Sequence, residues 1–209
     1  GRKSVIPSIL LKKKNKNIFT IHIQDPKINF NNFNIIVAPE HDGIKGENVI
    51  NSKGAIHYIT EEEIEKSKTY LIDKVQSQKV VALILGGPNK YYSFDNEEIS
   101  KIFNQIKESF IYNGYKAIIV PSMRTPKKTI ELAKKKFEND GYVVTEVNKQ
   151  AYLSSLAIAS NIVITCDSTS MISEAAISGK PIFVAHMKNK RNNYRFIFFK
   201  QKTASEIST

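Results

Sequence analysis

From Lys79 to Ala185 the sequence alternates short β-rich runs with segments of helical length, and this alternation constrains the fold more than any other feature. A short apolar run needs neighbouring strands, and a helix-length insertion before the next run carries the chain back to the same end of the sheet. The pattern therefore predicts parallel strands wrapped by helices. Residues 80–85 read as a strand buried on both faces, since every residue in the run is apolar. Residues 96–112 read as a helix on which Ile99, Ile102, Phe103, Ile106 and Phe110 recur at helical spacing. Further strands are expected at 117–120, 142–146, 162–165 and 182–185. Between them, Thr125 caps and Pro126 opens a helix running to about Asp140. A short helix is expected over 152–159, and another over 170–178 that Gly179 closes.

The earlier part is less complete. Residues 18–23 and 35–38 read as strands, 56–59 as a further candidate strand, and 61–75 as a helix. Two or three strands with few helices make an awkward domain alone. Residues 1–76 are therefore expected to be the rear of an N-terminal α/β domain whose front lies upstream of Gly1, and 77–195 a complete α/β domain. The segment 196–209 carries no periodicity, looks like translated sequencing-adapter sequence, and is expected to be foreign to the fold.

Composition narrows the function. A chain 41% hydrophobic and 24% charged has material for a core, which excludes wholesale disorder. The lone cysteine, Cys166, excludes an internal disulfide and a cysteine metal module. Apolar runs fall far short of the roughly 18 residues a spanning helix needs. The net charge of +11 gathers at Lys12 to Lys16, Lys134 to Lys136 and Lys188 to Arg195. Lys, Asn and Ile are abundant throughout, however, and no nucleic-acid motif accompanies the charge, so nucleic acid is not expected as a partner. Ile9, Leu10 and Leu11 lead into the first Lys run, so the expected location is the cytoplasm, with peripheral contact at the inner face of the membrane.

Open α/β sheets bind ligands beyond the carboxyl ends of their strands. After Leu85 stand Gly86, Gly87 and Asn89, where missing side chains let backbone N–H groups approach a phosphate. After the next strand stand Ser122, Arg124 and Thr125, and after Thr165 the run Cys166-Asp167-Ser168-Thr169-Ser170 opens a helix. That helix terminus suits a pyrophosphate, and Glu174, four residues beyond Ser170 on the same face, suits a ribose. Each residue alone reads as readily as a cap or a turn; together they favour a ligand site. The double glycine lacks dinucleotide and Walker spacing, which excludes those two readings. In the first part His41 beside Asp42 offers a proton-transfer pair, with a polar turn as the competing reading. His22, His57 and His186 show no metal-ligand pattern, so no metal is expected.

The set Ile23-Gln24-Asp25-Pro26, His41-Asp42, Gly46, Asn48-Val49, Gly54-Ala55, Gly86-Gly87, Ser122 with Arg124-Thr125-Pro126, Asp167 to Ala175 and Gly179-Lys180-Pro181 resembles one family. It is the mitochondrial-fission family named for the plant elongated-mitochondria protein. The resemblance spans most of residues 1–187; Met123 departs from it, standing where the family has a second basic residue. It implies a GT-B-like fold of two Rossmann-like, doubly wound parallel-sheet domains, the first incomplete here. It also implies that the Ser-rich turn and Glu174 form a nucleotide-sugar motif, that bacterial relatives act in cell-envelope glycan assembly, and that plant members recruit a dynamin-related protein to mitochondria.

Two functions follow. The first is a nucleotide-sugar-dependent glycosyltransferase with no bound cofactor. In it Ser168, Thr169 and Ser170 hold the pyrophosphate, Glu174 the ribose, Arg124 the departing diphosphate, and His41 or Asp42 serves an unidentified acceptor as base. The second is a non-catalytic adaptor of the same fold that brings an unidentified partner protein to a membrane surface.

Overall fold

The computed structural model describes residues 2–76 and 79–190, so the segment 196–209 lies outside the described residues. The chain divides into two compact units, Gly1–Tyr58 and Ile59–Thr209.

The first unit contains α1 (Val5–Lys14), β1 (Ile21–Ile23), β2 (Ile35–Pro39) and β3 (Val49–Ser52). The strands form a parallel sheet in the order β1-β2-β3. Register places His22 beside Ile36, and Ile36 beside Val49. Ile36 and Ala38 are fully buried there with Val5 and Phe33, and the His22 ring lies 4.8 Å from that of Phe33. The opposite face carries Ile21, Ile23 and Ile50, which are 61%, 48% and 54% exposed.

The expected strand at 56–59 is not a strand; the third strand is β3 instead. Its sequence, Val-Ile-Asn-Ser, has too few apolar residues to announce itself. Pairing with β2 defines it, and the Asn51 side-chain amide fastens it by donating to the carbonyls of Ala38 (3.3 Å) and Ile44 (3.2 Å).

The second unit runs α2 (Glu61–Lys66), α3 (Thr69–Val75), β4 (Val80–Leu85), α4 (Asn96–Ser109), β5 (Lys116–Pro121), α5 (Lys127–Phe137), β6 (Gly141–Val143), α6 (Lys149–Ile158), β7 (Asn161–Thr165), α7 (Thr169–Ala176) and β8 (Ile182–Ala185). All five strands are parallel, in the order β6-β5-β4-β7-β8. Every residue of β4 is buried. Val80, Ala82 and Ile84 face a core shared with α2, α3, α6 and α7, while Val81, Leu83 and Leu85 face one shared with α4 and α5. Helices cover both faces, as a parallel sheet requires. Phe103 of α4 meets Phe137 of α5 edge to face at 5.4 Å, closing the second layer.

The division of the chain differs from the expected joint after residue 76. The single helix expected over 61–75 is two, α2 and α3, and both belong to the second unit. The cause is their packing on α6. The Ser154 hydroxyl, fully buried, accepts from the Leu71 N–H (3.0 Å) and donates to the Lys68 carbonyl (3.1 Å). Lys149 pairs with Glu63 at 2.9 Å.

Helix starts also shift. Pro126, not Thr125, is the N-cap of α5, because the Thr125 hydroxyl turns back to the carbonyls of Leu85 (2.9 Å) and Gly86 (2.5 Å). Helix α6 begins at Lys149 rather than Tyr152, capped by the Asn148 side chain accepting from the Ala151 N–H at 2.9 Å.

Candidate functional site

In the second unit the chain passes from β4 to β5 and β6 on one side, then returns to place β7 and β8 on the other. The carboxyl ends of β4 and β7 therefore flank a topological switch point, where such sheets form a ligand crevice. Gly86-Gly87 follows β4 and Asp167-Ser168 follows β7, so both motifs stand at this point.

Asp167 is the hub. Its side chain is 0% exposed, and it accepts from the Gly87 N–H (3.0 Å), the Thr165 hydroxyl (2.7 Å) and Arg124 Nη2 (2.8 Å). The Thr165 hydroxyl in turn accepts from the Gly86 N–H at 2.8 Å. Arg124 Nη1 donates to the Gly87 carbonyl at 3.2 Å. Turns after β4, β5 and β7 are thus drawn together by one carboxylate.

The arrangement revises several expected roles. The N–H groups of Gly86 and Gly87, read as phosphate donors, are engaged by Thr165 and Asp167. The two glycines answer to close approach: a Cβ on Gly86 would stand 2.1 Å from the Asp167 carboxylate oxygens, and one on Gly87 2.1 Å from the Arg124 carbonyl oxygen. Asn89 shapes its own turn, its side-chain oxygen accepting from the N–H groups of Tyr91 (2.7 Å) and Tyr92 (3.0 Å) and its amide donating to the Asp167 carbonyl (3.2 Å). The Ser122 N–H donates to the Leu85 carbonyl (2.9 Å) and to Thr125 Oγ1 (2.8 Å), so this pair knits the loop after β5 to the end of β4.

Ser168 is the N-cap of α7, with Thr169 half-buried and Ser170 exposed in the first turn. The opening N–H groups of a helix have no intrahelical acceptor and lie at its positive end, which suits an anion. Glu174, half-buried on the same helix, accepts a hydrogen bond from the Tyr152 hydroxyl of α6 at 2.9 Å. Burial, then the neighbouring Glu174 charge, raises the Tyr152 pKa, so the phenol stays a donor. Cys166, half-buried against the α4/α5 core, has its thiol pKa raised mainly by burial, which keeps it a neutral thiol.

His41 and Asp42 lie in the first unit, in a 3₁₀ turn directly after β2 that ends at Gly43 with φ +68°. His41 Nε2 and Asp42 Oδ1 are 3.9 Å apart, an ion-pair distance beyond direct hydrogen bonding. Among the described residues no group of three or more His, Cys, Asp or Glu side chains is placed to hold a metal ion. Among them, too, no helix is long and apolar enough to cross a membrane.

Asp167 and Tyr152 were not among the expected ligand residues. For Asp167 a signal existed: an acidic residue just past one strand, with a double glycine just past another. For Tyr152 none did, because its partner lies 22 positions away on another helix.

A family model described as Mitochondrial fission ELM1 matches residues 1–205. Protein RP120 of Rickettsia prowazekii (strain Madrid E), itself uncharacterized, is 27% identical over 255 aligned positions that take in 100% of this chain and 69% of that protein. The mitochondrial fission protein ELM1 of Arabidopsis thaliana is 23% identical over 212 positions, 88% of this chain and 49% of the plant protein. The chain thus spans about half the length of that plant relative. Among solved structures, the UDP-GlcNAc 2-epimerase of Methanocaldococcus jannaschii aligns with a TM-score of 0.57 and 17% identity over 96% of this chain and 69% of that one. The S. aureus MnaA–UDP co-structure aligns at 0.52 and 14% identity, over 87% and 60%. These likenesses show the fold, a GT-B-like α/β architecture with parallel sheets.

Proposed function

The chain belongs to the mitochondrial fission ELM1 family, and from that premise we propose that it is a nucleotide-sugar-dependent glycosyltransferase of cell-envelope glycan assembly. The observation that carries the proposal is that, at the β4/β7 switch point, Arg124 is bonded to Asp167, the residue directly before the N-cap of α7, while Glu174 projects from the same helix. In this reading the pyrophosphate sits on the N–H groups of Ser168, Thr169 and Ser170, and Glu174, steadied by Tyr152, accepts from the ribose hydroxyls. The bond between the anomeric carbon and the phosphate oxygen breaks as an acceptor oxygen bonds to that carbon. The acceptor proton passes to a base, and the nucleoside diphosphate leaves. Arg124 and the helix terminus balance its developing charge, the task that preorganised donors perform best.

UDP is the first probe to use, because the fold neighbours include structures solved with UDP and with UDP-GlcNAc. We further propose a working location at the inner face of a membrane, supported by Ile6, Leu10 and Leu11 of α1, each more than half exposed beside Lys13 and Lys14. The test is calorimetric titration of the intact protein with a panel of nucleoside diphosphates and nucleotide sugars. A panel member should bind, and Glu174→Ala should weaken it at least tenfold. Silence across the panel would overturn the donor site and leave the non-catalytic adaptor, whose partner would then be sought among membrane-associated proteins.

A further inference from the structure

We propose that Asp167 is a positioning residue of this site, a buckle that fixes the Arg124 guanidinium in the orientation a diphosphate requires; the inference rests on the nucleotide-sugar reading. A carboxylate wholly removed from water survives only when its lone pairs are met by donors. The Gly87 N–H, the Thr165 hydroxyl and Arg124 Nη2 supply them, each within 3.0 Å. The second anchor, from Arg124 Nη1 to the Gly87 carbonyl, fixes the plane of the guanidinium and not merely its position. Guanidinium carries five N–H groups in a rigid fork, so pinning one edge aims the other. The Arg124 side chain is 41% exposed while that of Asp167 is 0% exposed, so the guanidinium reaches solvent although the carboxylate that holds it does not. Gly86 leaves the carboxylate room, since a Cβ there would collide with both of its oxygens.

The buckle also cancels charge. Beside a full carboxylate, Arg124 adds little net attraction for an anion, so its value to a diphosphate lies in aim. Two views of Arg124 then differ in sign. Were it a point charge, removing the Asp167 charge would tighten diphosphate binding; as a held fork, the same change weakens it.

The experiment is calorimetric titration of the intact protein with UDP and with uridine, for wild type, D167N, R124A, the double variant and R124K. D167N keeps the side-chain volume under Gly86. It should weaken UDP about tenfold, or ~1.4 kcal/mol, leave uridine within about twofold, and add little on top of R124A. R124K, which keeps the charge and removes the fork, should bind UDP no better than R124A within about twofold, and it stands in should D167N not fold. UDP binding unchanged or tightened in D167N, losses that add in the double variant, or full recovery in R124K would each overturn the buckle. A ligand-independent arm separates this failure from that of the parent reading. Rotation about the Arg124 guanidinium bonds, followed by ¹⁵N NMR, should be hindered in wild type and fast in D167N. If wild type binds no nucleotide, the donor-site reading fails, and unhindered rotation in wild type or unchanged hindrance in D167N still overturns the buckle.

Discussion

The five-stranded sheet of the second unit buries both of its faces, whereas the three-stranded sheet of the first buries one. Both are parallel and both are built from short runs rich in apolar residues. In β4 alternate residues divide between two cores, and no residue of the strand meets water. In β1 the order is inverted relative to a half-exposed strand of ordinary pattern: His22 points inward, and the flanking isoleucines point out. An apolar residue thus holds a sheet together only where a second layer covers it, since hydrophobic stabilisation scales with the area taken from water. The same residue type should therefore count for much in one unit and little in the other.

The widest contrast should come from truncating the two sheets in parallel. Leu83→Ala opens a cavity at a fully buried β4 position and should cost about 2–5 kcal/mol in urea unfolding. Ile23→Ser on the uncovered face should move stability by no more than ~0.5 kcal/mol. Equal losses would mean that the outer face of the first sheet is covered in solution. A middle effect is expected at the α3–α6 contact. Ser154→Ala strands the buried Leu71 N–H and should cost about 1–3 kcal/mol by the same assay. A loss confined to the first unit, read by hydrogen exchange of β2 against β4, would contradict the assignment of α3 to the second.

The smallest effects concern pH, and their signs differ between units. Burial lowers the His22 pKa below 6.5, so as pH falls below that value the unfolded chain takes up a proton that the folded chain refuses, and stability is lost. Burial raises the Cys166 pKa above 9.0, so as pH rises past 9 the unfolded thiol ionises first and stability is lost on that side. His22→Gln should flatten the acid limb of the urea midpoint and Cys166→Ala the alkaline limb, each leaving the other limb unchanged.

Much of the second unit was legible beforehand because its signals are local. The apolar run 80–85 and the strand 182–185 match the observed bounds, and the apolar stripe on α4 reproduces the buried set Ile99, Ile102, Phe103 and Ile106. The first unit is less legible in its sequence, since β3 owes its existence to β2 and to the Asn51 amide rather than to its own composition. The site divides in the same way. That Gly86, Arg124 and Asp167 would follow three strand ends could be read from alternation and turn residues; which of them touch could not.

The sequence by itself determined the layered α/β plan, the parallel order of events along the chain and the polar character of the strand ends, because propensity, periodicity and capping act over a few residues. Only the tertiary structure decided that α2 and α3 close the second unit, that the glycines make room for a carboxylate, and that Tyr152 holds Glu174. Those outcomes depend on contacts between residues up to 86 positions apart, as between Ser154 and Lys68, where burial and hydrogen bonding select among partners that local sequence leaves equivalent.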